Sequence, residues 1–246
     1  MTRRNVTLSV VSHGQNALVN RLLADLAQIC PQGLDVIVTQ NVPEAATLTP
    51  LGPPHDFTLV ANDRPKGFGA NHNAAFGRSA SKIFFVVNPD IRLPGNPFPA
   101  LMESLEGENV AAAGPLVRNA TGQPEDSARR FPTVARLLQK VLRRNAGPDY
   151  PTNEGPLEVE WVAGMFIGFR RDAYARVGGF DERYFLYYED VDICRRLRAL
   201  GYRVVYDTTV SVIHEARRAS RRDPRLMRIH AASALRFLLS SYRDGW

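Results

Sequence analysis

Apolar residues along the first part of the chain recur with two different periods, one typical of buried strands and one typical of helices. Strands are predicted where short apolar runs end in polar residues, at Val6–Ser12, Leu34–Thr39, Asp56–Val60 and Lys82–Asn88. Helices are predicted at Asn16–Ile29, where leucines recur at every fourth position, and at Gly69–Ser79. Because strands and helices alternate, we expect an α/β fold with a mostly parallel central sheet flanked by helices.

The second half of the chain has a less regular pattern. Residues 114–157 contain several prolines and the basic pair Arg129–Arg130, and they predict a long irregular excursion with a short helix near Thr133–Arg144. The elements predicted after it are strands at Val159–Phe169, Arg203–Tyr206 and Val210–His214, and a helix at Leu226–Tyr242.

Composition and charge indicate a globular domain that does not bind nucleic acid. With 246 residues, of which 44% are hydrophobic, the chain can bury a full core in one large domain. The net charge is +6, but the segment from His214 to Trp246 carries eight arginines against three acidic residues, so about five of the six charges lie there. The rest of the chain is nearly neutral, which argues against nucleic acid as a partner.

The two cysteines, Cys30 and Cys194, both lie in apolar helical patterns, which predicts buried free thiols instead of a disulfide. No Cys/His cluster in the sequence suggests zinc. The N-terminal apolar run is broken by Thr7 and Ser9, so it predicts a strand and not a signal peptide, and Ile83–Val87 is far too short to span a bilayer. We therefore expect a cytoplasmic protein.

Polar residues follow each of the four strands predicted in the first half. Ligands of parallel sheets bind beyond the carboxyl ends of the strands, so these residues are expected to outline one cleft. They are Ser12–His13, Gln40–Asn41, Asn62–Asp63 and Asn88–Pro89–Asp90. Asp90 projects from a strand that Pro89 ends, and one carboxylate there can hold Mg²⁺ or Mn²⁺ if a substrate diphosphate supplies further ligands. An ordinary Asn-Pro-Asp turn is the alternative.

The segment Tyr184–Gly201 places three carboxylates, Glu189, Asp190 and Asp192, behind an aromatic cluster and at the start of an amphipathic helix. A carboxylate in the first helical turn is held rigidly and is partly shielded from water, as a general base requires. The alternative is that these acidic residues only offset the helix macrodipole. The aromatic residues that precede this helix favour the interpretation of the carboxylates as a general base.

Three further positions have both a functional and a structural interpretation. Gly67–Asn73 open a predicted helix where glycines would let a phosphate or ribose approach, although the pattern is not the GxGxxG of nicotinamide sites. Trp161 could stack on a sugar and Gly164 could leave room for an acceptor, or both belong to a core strand. His214 ends a strand at the edge of the cleft and either completes a metal shell or is structural.

Together, the segments SVVSHG, NDRPKGFGANHNAAF, VVNPD, Trp161–Tyr202 and VIH resemble the family 2 glycosyltransferases of GT-A fold. More narrowly they are similar to a rhamnosyltransferase-like branch in which Asn-Pro-Asp replaces Asp-x-Asp. The resemblance runs from about Val6 to His214. It implies a single GT-A catalytic domain over residues 1–214, with a nucleotide-binding half (1–113) and an acceptor and catalytic half (114–214), followed by a basic C-terminal helix at 215–246.

The resemblance implies inverting transfer of a sugar, with rhamnose favoured, from a nucleotide-diphosphate donor to a glycan or lipid-linked acceptor in polysaccharide or cell-wall biosynthesis. The favoured donor is dTDP-L-rhamnose, with UDP-sugars next. Asp190 would be the general base, next to Glu189 in the catalytic motif, and Asp90 and His214 would hold Mg²⁺ or Mn²⁺. The nucleotide-sugar site would comprise Ser12, His13, Gln40, Gly69, Asn73, Asn88 and Asp90, and the acceptor site Trp161 and Gly164.

One departure from the family pattern affects the choice of donor. The family usually ends its second strand with an acidic residue that contacts the base, whereas this chain has Gln40, whose amide both accepts and donates hydrogen bonds. Two other functions stay open. A sugar nucleotidyltransferase-like enzyme would need a Gly-rich basic signature after the first strand, which SHGQNA lacks. A non-catalytic glycan-binding member of the same fold is disfavoured by the intact carboxylates.

The C-terminal helix has two interpretations. Leucines in its second half, including Leu235 and Leu239, and Tyr242 are predicted to widen the apolar stripe formed by Leu226, Ile229 and Phe237. Either this stripe packs on the catalytic domain and the arginines face water, or the arginines meet an anionic membrane or the diphosphate of the acceptor. The second interpretation would place the protein peripherally at the inner face of the membrane.

Overall fold

The structure, a computed structural model, describes residues 5–133, 136, 148–215 and 223–243. The helix predicted near Thr133–Arg144 lies almost entirely outside the described residues. Within them, no helix is both long enough and apolar enough to span a bilayer.

The first half of the chain forms the parallel part of a central sheet. Its strands are β1 (Val6–Ser12), β2 (Asp35–Gln40), β3 (Asp56–Ala61) and β4 (Ile83–Val87), in the spatial order β3-β2-β1-β4. The helices α1 (Asn16–Ile29) and α2 (Phe68–Arg78) lie between β1 and β2 and between β3 and β4 along the chain. Each of these elements begins and ends within one residue of its predicted position, so the predicted α/β order is confirmed.

The sheet continues beyond β4 with strands of mixed direction. The remaining strands are β5 (Ile91–Arg92), β6 (Val110–Asn119), β7 (Ala128–Arg129), β8 (Pro156–Val159), β9 (Trp161–Val162), β10 (Phe166–Arg170) and β11 (Arg203–His214). The order continues β4-β10-β6-β11-β5, with β10 antiparallel to both of its neighbours, β11 parallel to β6, and β8 paired with β11. The strands β7 and β9 form a separate two-stranded ribbon. The remaining helices are α3 (Phe98–Glu106), α4 (Arg171–Arg176), α5 (Glu189–Ala199) and α6 (Pro224–Arg243).

Several predictions for the second half were wrong in detail. The strand predicted at Val159–Phe169 is divided among β8, β9 and β10, and between β9 and β10 the N–H of Gly164 donates to Asp190 of α5. The strands predicted at Arg203–Tyr206 and Val210–His214 are one strand, β11, whose pairing with β6 is irregular between Asp207 and Ser211. The strand β6 was not predicted, because its sequence VAAAGPLVRN contains Ala, Gly and Pro, which are depleted in strands.

Two layers of apolar side chains cover the sheet. On one face, residues such as Leu8 of β1 pack with α1 and α3. On the other face, Phe84 of β4 packs with α2, α5 and Phe237 of α6, so the C-terminal helix contributes to the core. Cys30 and Cys194 are buried free thiols, one in each layer, which confirms the prediction.

Gly168 of β10 lies against Phe85 of β4 with no room for a side chain, since an added Cβ would overlap Cε1 of Phe85. We expect Gly168→Ala to lower the free energy of unfolding by about 1–3 kcal/mol, as overpacking of a core does. The control is Gly77→Ala in α2, where an added Cβ has no atom within 4 Å and where alanine should be neutral or stabilising. Urea unfolding midpoints measure both effects, and equal midpoints for the two variants would contradict the packing argument.

Candidate functional site

A network of asparagines joins the carboxyl ends of β2 and β3 to the start of α2. Oδ1 of Asn41 accepts hydrogen bonds from the side chain of Asn62 at 2.9 Å and from the backbone N–H of Lys66 at 2.8 Å. Asn62 also donates to Asn71 at 2.7 Å, and Nδ2 of Asn41 lies 3.1 Å from Nδ1 of His13. The sequence predicted a polar edge here but not that its asparagines bond to one another, because the three are distant along the chain.

Several residues predicted to bind the nucleotide-sugar have side chains already bonded within the protein. Oγ of Ser12 donates to Asn16 at 2.7 Å. Asn73 donates to the backbone oxygen of Phe180 and accepts from its N–H, each at 2.9 Å, and a Cβ on Gly69 would lie 2.7 Å from Cβ of Phe180. These contacts give Gly69 and Asn73 a packing role. Their contact with a nucleotide stays a prediction.

The glycine at the start of α2 brings this helix against the aromatic segment that precedes α5. The N–H of Phe68 donates to the backbone oxygen of Phe185 at 2.8 Å, and a Cβ on Gly67 would lie 2.8 Å from the same oxygen. Close backbone packing therefore requires glycine at this position. A cavity of about 460 Å³ lies on the other side of α2 and is lined in part by Arg64, Lys66 and Arg78. Asn62 and Asp63, which were expected at the edge of the cleft, line this cavity, but none of the residues assigned to the nucleotide-sugar, acceptor or metal sites does.

Asp90 and His214 lie next to each other near the ends of β4 and β11. Nε2 of His214 is 3.3 Å from Oδ2 of Asp90, and its Nδ1 is 2.8 Å from Oε2 of Glu125. Burial lowers the pKa of His214, but the two carboxylates outweigh burial and raise this pKa to about 9. Glu125 was not recognised from the sequence, because no local pattern relates it to a histidine 89 positions away.

The side chains of Asp90 and His214 fit a divalent cation. Oδ1 of Asp90 is buried without a hydrogen-bond partner, and such a carboxylate oxygen is a preferred ligand of Mg²⁺ and Mn²⁺. In the described part of the chain, no group of three or more His, Cys, Asp and Glu side chains is arranged to hold a metal ion. A cation bound here would therefore take its remaining ligands from a substrate or water.

Asp190 lies half-buried in the first turn of α5, and both of its carboxylate oxygens accept backbone hydrogen bonds. Oδ2 accepts one from the N–H of Gly164 and Oδ1 one from the N–H of Val191, each at 2.9 Å. The N–H of Asn88 donates to the oxygen of Met165 at 2.9 Å, so the segment that holds Asp190 also borders the end of β4. Through these contacts the structure links the predicted base to the loop that carries the predicted metal ligand.

Glu189 and Asp190 are adjacent but have different environments. Glu189 is 4% exposed and its Oε2 has no hydrogen-bond partner. Burial, and then the charge of Asp190, raise the pKa of Glu189 well above its usual range. Burial also raises the pKa of Asp190, but the N–H groups of Gly164 and Val191 and the charge of Arg129 counteract it. We infer that Glu189 holds the proton and that Asp190 carries the charge.

Two tyrosines directly before these carboxylates have a left-handed backbone. Tyr187 and Tyr188 both have φ of 69°, which is uncommon for aromatic residues and costs energy that the surroundings must offset. The helix α6 supplies part of those surroundings. The ring of His230 lies 5.2 Å from that of Tyr187 and 5.4 Å from that of Tyr188, and Phe237 lies 5.7 Å from Tyr188. One face of α6 is therefore part of the site.

Trp161 does not present a free ring to the cleft. It is buried, its Nε1 donates to the backbone oxygen of Arg130 at 3.1 Å, and the guanidinium of Arg129 lies 5.4 Å from its ring centroid. Arg129 also forms a 2.8 Å ion pair with Asp126. Stacking of an acceptor on Trp161 stays a prediction. The position of Arg129 near Asp190 was not anticipated, since the sequence marked it only as half of a basic pair.

Comparisons with known proteins find two rhamnosyltransferases among the relatives of this chain. The N-acetylglucosaminyl-diphospho-decaprenol L-rhamnosyltransferase of Mycobacterium tuberculosis is 28% identical over 96% of this chain and 84% of its own length. The rhamnosyltransferase WbbL of Escherichia coli is 26% identical over 95% of this chain and 92% of its own length. No family model matches the chain.

Solved structures give the fold. The chain superposes on GalNAc-T7 with UDP, GalNAc and Mn²⁺ with a TM-score of 0.63 and 12% identity, covering 88% of this chain and 44% of that one. For the mannosyltransferase PcManGT of Pyrobaculum calidifontis with GDP-Man and Mn²⁺, the TM-score is 0.60 with 19% identity, over 96% and 65% of the two chains. The chain thus spans less than two thirds of either structure.

The chain is a GT-A glycosyltransferase similar to the family 2 rhamnosyltransferases. The resemblance inferred from the motifs of this glycosyltransferase is thereby confirmed, as is its predicted fold class.

In this glycosyltransferase, Glu189→Gln should not destabilise the fold at neutral pH, because the amide has the shape of the protonated acid. The pKa of folded Glu189 lies above the unfolded value of about 4.3, so the folded state keeps a proton that the unfolded chain releases. Through this group, the wild type loses stability as pH rises above about 4.3. Gln removes this loss.

The free energy of unfolding of Glu189→Gln, measured by urea titration, should therefore rise relative to wild type as the pH increases above about 4.3. The control is Glu103→Gln, which makes the same chemical change at an exposed glutamate of α3. If the rise for Glu189→Gln is no larger than for this control, Glu189 is not the proton-holding member of the pair.

Proposed function

We propose that this glycosyltransferase transfers L-rhamnose from dTDP-L-rhamnose, with UDP-sugars as the next candidate donors, to a glycan or lipid-linked acceptor, with inversion at the anomeric carbon. The observation that carries the proposal is the half-buried Asp190, held by the N–H of Gly164 beside the sheet edge where Asp90 and His214 meet. The names of both relatives support rhamnose as the transferred sugar. The name of the mycobacterial relative supports an acceptor that carries a diphosphate and a lipid.

Asp190 is the proposed general base. Its two backbone hydrogen bonds fix the carboxylate, and it takes the proton from the acceptor hydroxyl as that hydroxyl attacks the anomeric carbon. A positioned base contributes about 10²–10⁴-fold to the rate. Glu189 already holds a proton, so it leaves one negative charge in the pair and does not compete as a base.

Asp90 and His214 are the proposed ligands of Mg²⁺ or Mn²⁺. A divalent cation there stabilises the charge that develops on the departing diphosphate. The Mn²⁺ in the structures of GalNAc-T7 and PcManGT supports this assignment. Nε2 of His214, once it has lost its proton, would hold the cation, and its Nδ1–H, which donates to Glu125, would orient the ring.

The donor nucleotide is proposed to lie across the ends of β1, β2 and β4, against Ser12, His13, Gln40, Asn88 and the start of α2. The acceptor then approaches Asp190 past Gly164 and Trp161. The two open alternatives, a nucleotidyltransferase and a non-catalytic glycan-binding protein, have less support, since both relatives are named as sugar transferases. A lipid-linked acceptor would be met at a membrane surface, which makes peripheral membrane contact part of the proposal.

Asp190→Asn should lower kcat by at least about 10²-fold, because the amide fills the same space but cannot take the proton. Donor binding should be nearly unchanged, since the amide oxygen of the asparagine can still accept the hydrogen bond from the N–H of Gly164. The assay is transfer of labelled rhamnose to a prenyl-diphosphate N-acetylglucosamine acceptor. Glu189→Gln is the matched isosteric control and should retain most of its turnover. Near-normal turnover by Asp190→Asn would eliminate Asp190 as the base.

Asp90→Ala should remove the metal-dependent part of donor binding. A ligand at a hundredfold excess over Kd stabilises a protein by about 2.7 kcal/mol. We therefore expect dTDP-L-rhamnose to raise the Tm of the wild type more in the presence of Mn²⁺ than in EDTA. For Asp90→Ala, the rise in Tm should be the same with Mn²⁺ as with EDTA.

The same melting experiment tests the donor with GDP-mannose as a purine control. Equal stabilisation by GDP-mannose and dTDP-L-rhamnose would refute the proposed donor. A shift in the wild type that does not depend on Mn²⁺ would refute the metal site.

A further inference from the structure

The helix α6 has two apolar faces, and only one of them packs on the protein. Ser233 and Phe237 are buried on the inner face, where Oγ of Ser233 donates to the backbone oxygen of Leu186 at 2.9 Å. The outer face carries large apolar side chains with high exposed fractions: Met227 59%, Leu235 58%, Leu239 63% and Tyr242 88%. At 3.6 residues per turn these four fall within an arc of about 120°. The prediction that Leu235, Leu239 and Tyr242 widen the apolar stripe that includes Phe237 was therefore wrong, since they lie on the opposite side of the helix.

This outer face is the main apolar patch in the described part of the chain. Of the seven large apolar side chains exposed there, four belong to it, and the others, Leu59, Phe185 and Leu200, lie elsewhere in the chain. Single exposed apolar residues need no explanation, but four of them on one side of a helix indicate a surface that meets another apolar phase.

The charges on α6 indicate what covers this stripe. Its sequence, PRLMRIHAASALRFLLSSYR, contains four arginines and no acidic residue, and Arg225, Arg228 and Arg236 are exposed. A second copy of α6 docked on this stripe would bring two positively charged helices together with no acidic residue of either helix to pair with them, which is unfavourable. An anionic lipid leaflet offers both an apolar layer for the stripe and opposite charge for the arginines.

We propose that the outer face of α6 inserts into an anionic lipid leaflet, with the helix lying in the plane of the interface. The proposal deepens the proposed function, on which it rests, because it states how the enzyme meets a lipid-linked acceptor. Met227, Leu235, Leu239 and Tyr242 enter the acyl boundary, and the arginines extend to the lipid headgroups.

Insertion on this face places the catalytic carboxylates close to the membrane. The inner face of α6 contacts Leu186, Tyr187 and Tyr188, which directly precede Glu189 and Asp190. Only the thickness of one helix, about 10 Å, then separates the leaflet from the segment that carries the base. The diphosphate and first sugar of a lipid-linked acceptor extend from the leaflet over a comparable distance.

The test is co-sedimentation of the full chain, without donor, with vesicles of phosphatidylglycerol and phosphatidylcholine in equal parts. The double variant Leu235→Ser/Leu239→Ser should bind at least about tenfold more weakly than wild type. The matched control is Leu59→Ser/Leu200→Ser, which replaces two leucines of 49% and 46% exposure elsewhere and should bind like wild type. Arg225→Gln/Arg228→Gln should reduce binding most at low salt, because exposed charges are screened at high salt.

Transfer to a water-soluble acceptor analogue shows that each variant is folded. Equal vesicle binding by wild type and Leu235→Ser/Leu239→Ser would overturn the inference. So would a wild-type dimer by light scattering that the double variant abolishes, since a second copy would then cover the stripe. If the wild type transfers rhamnose but does not bind vesicles, only this inference is refuted. Vesicle binding without any rhamnosyl transfer refutes only the proposed function.

Discussion

The N–H of Gly164 donates a 2.9 Å hydrogen bond to Oδ2 of Asp190, and the geometry of the site depends on this contact. Glycine suits this contact, since a Cβ on Gly164 would lie 3.3 Å from Cβ of Asp190 and would require the carboxylate to shift by a few tenths of an ångström. The contact lies where the chain passes from β9 of the ribbon to β10 of the central sheet. The backbone there turns toward α5, while Met165 next to it accepts from Asn88 at the end of β4. One short segment therefore bonds both to the proposed base and to the strand end near the proposed metal ligand.

Ionising both of the adjacent carboxylates, Glu189 and Asp190, costs free energy because the site is shielded from water. The local hydrogen bonds determine which of the two carries the charge. Asp190 accepts two backbone N–H bonds and lies within the field of Arg129, whereas Oε2 of Glu189 has no partner. The proton therefore remains on Glu189. A neutral neighbour lets the proposed base keep a single, oriented charge. The left-handed backbone at Tyr188 turns the chain sharply into this pair, and that strain is maintained by the packing of α6 on the tyrosines.

The sequence predicted those features that depend on local periodicity or on a general property of parallel sheets. The first four strands and two helices follow from apolar spacing, and Asp90 and His214 were expected at one cleft because strand ends share an edge. Glu125 could not be predicted, because its contact with His214 joins positions 89 residues apart. Likewise, Asn73 looked like a ligand residue, yet its bonds to Phe180 depend on a turn more than a hundred residues away.

The two apolar faces of α6 show the same limit of prediction from the sequence. The periodicity of apolar residues reveals both faces but not which one packs on the protein. A buried charge in α5 is one of the contacts that fix which face packs on the protein. Arg195 is 5% exposed, and its guanidinium bonds to Asp192 at 3.3 Å and to Ser240 of α6 at 3.2 Å. Its guanidinium carbon also lies 5.2 Å from the ring centroid of Phe237.

A buried guanidinium is stable only while its partners surround it. Removing α6 from the domain would take away part of the polar surroundings of Arg195 and expose Phe237 as well, so α6 remains docked. Any contact of α6 with a membrane therefore uses the outer face of a helix that stays packed on the catalytic segment. It does not require the helix to detach, and the distance between the leaflet and Asp190 is consequently set by the fold.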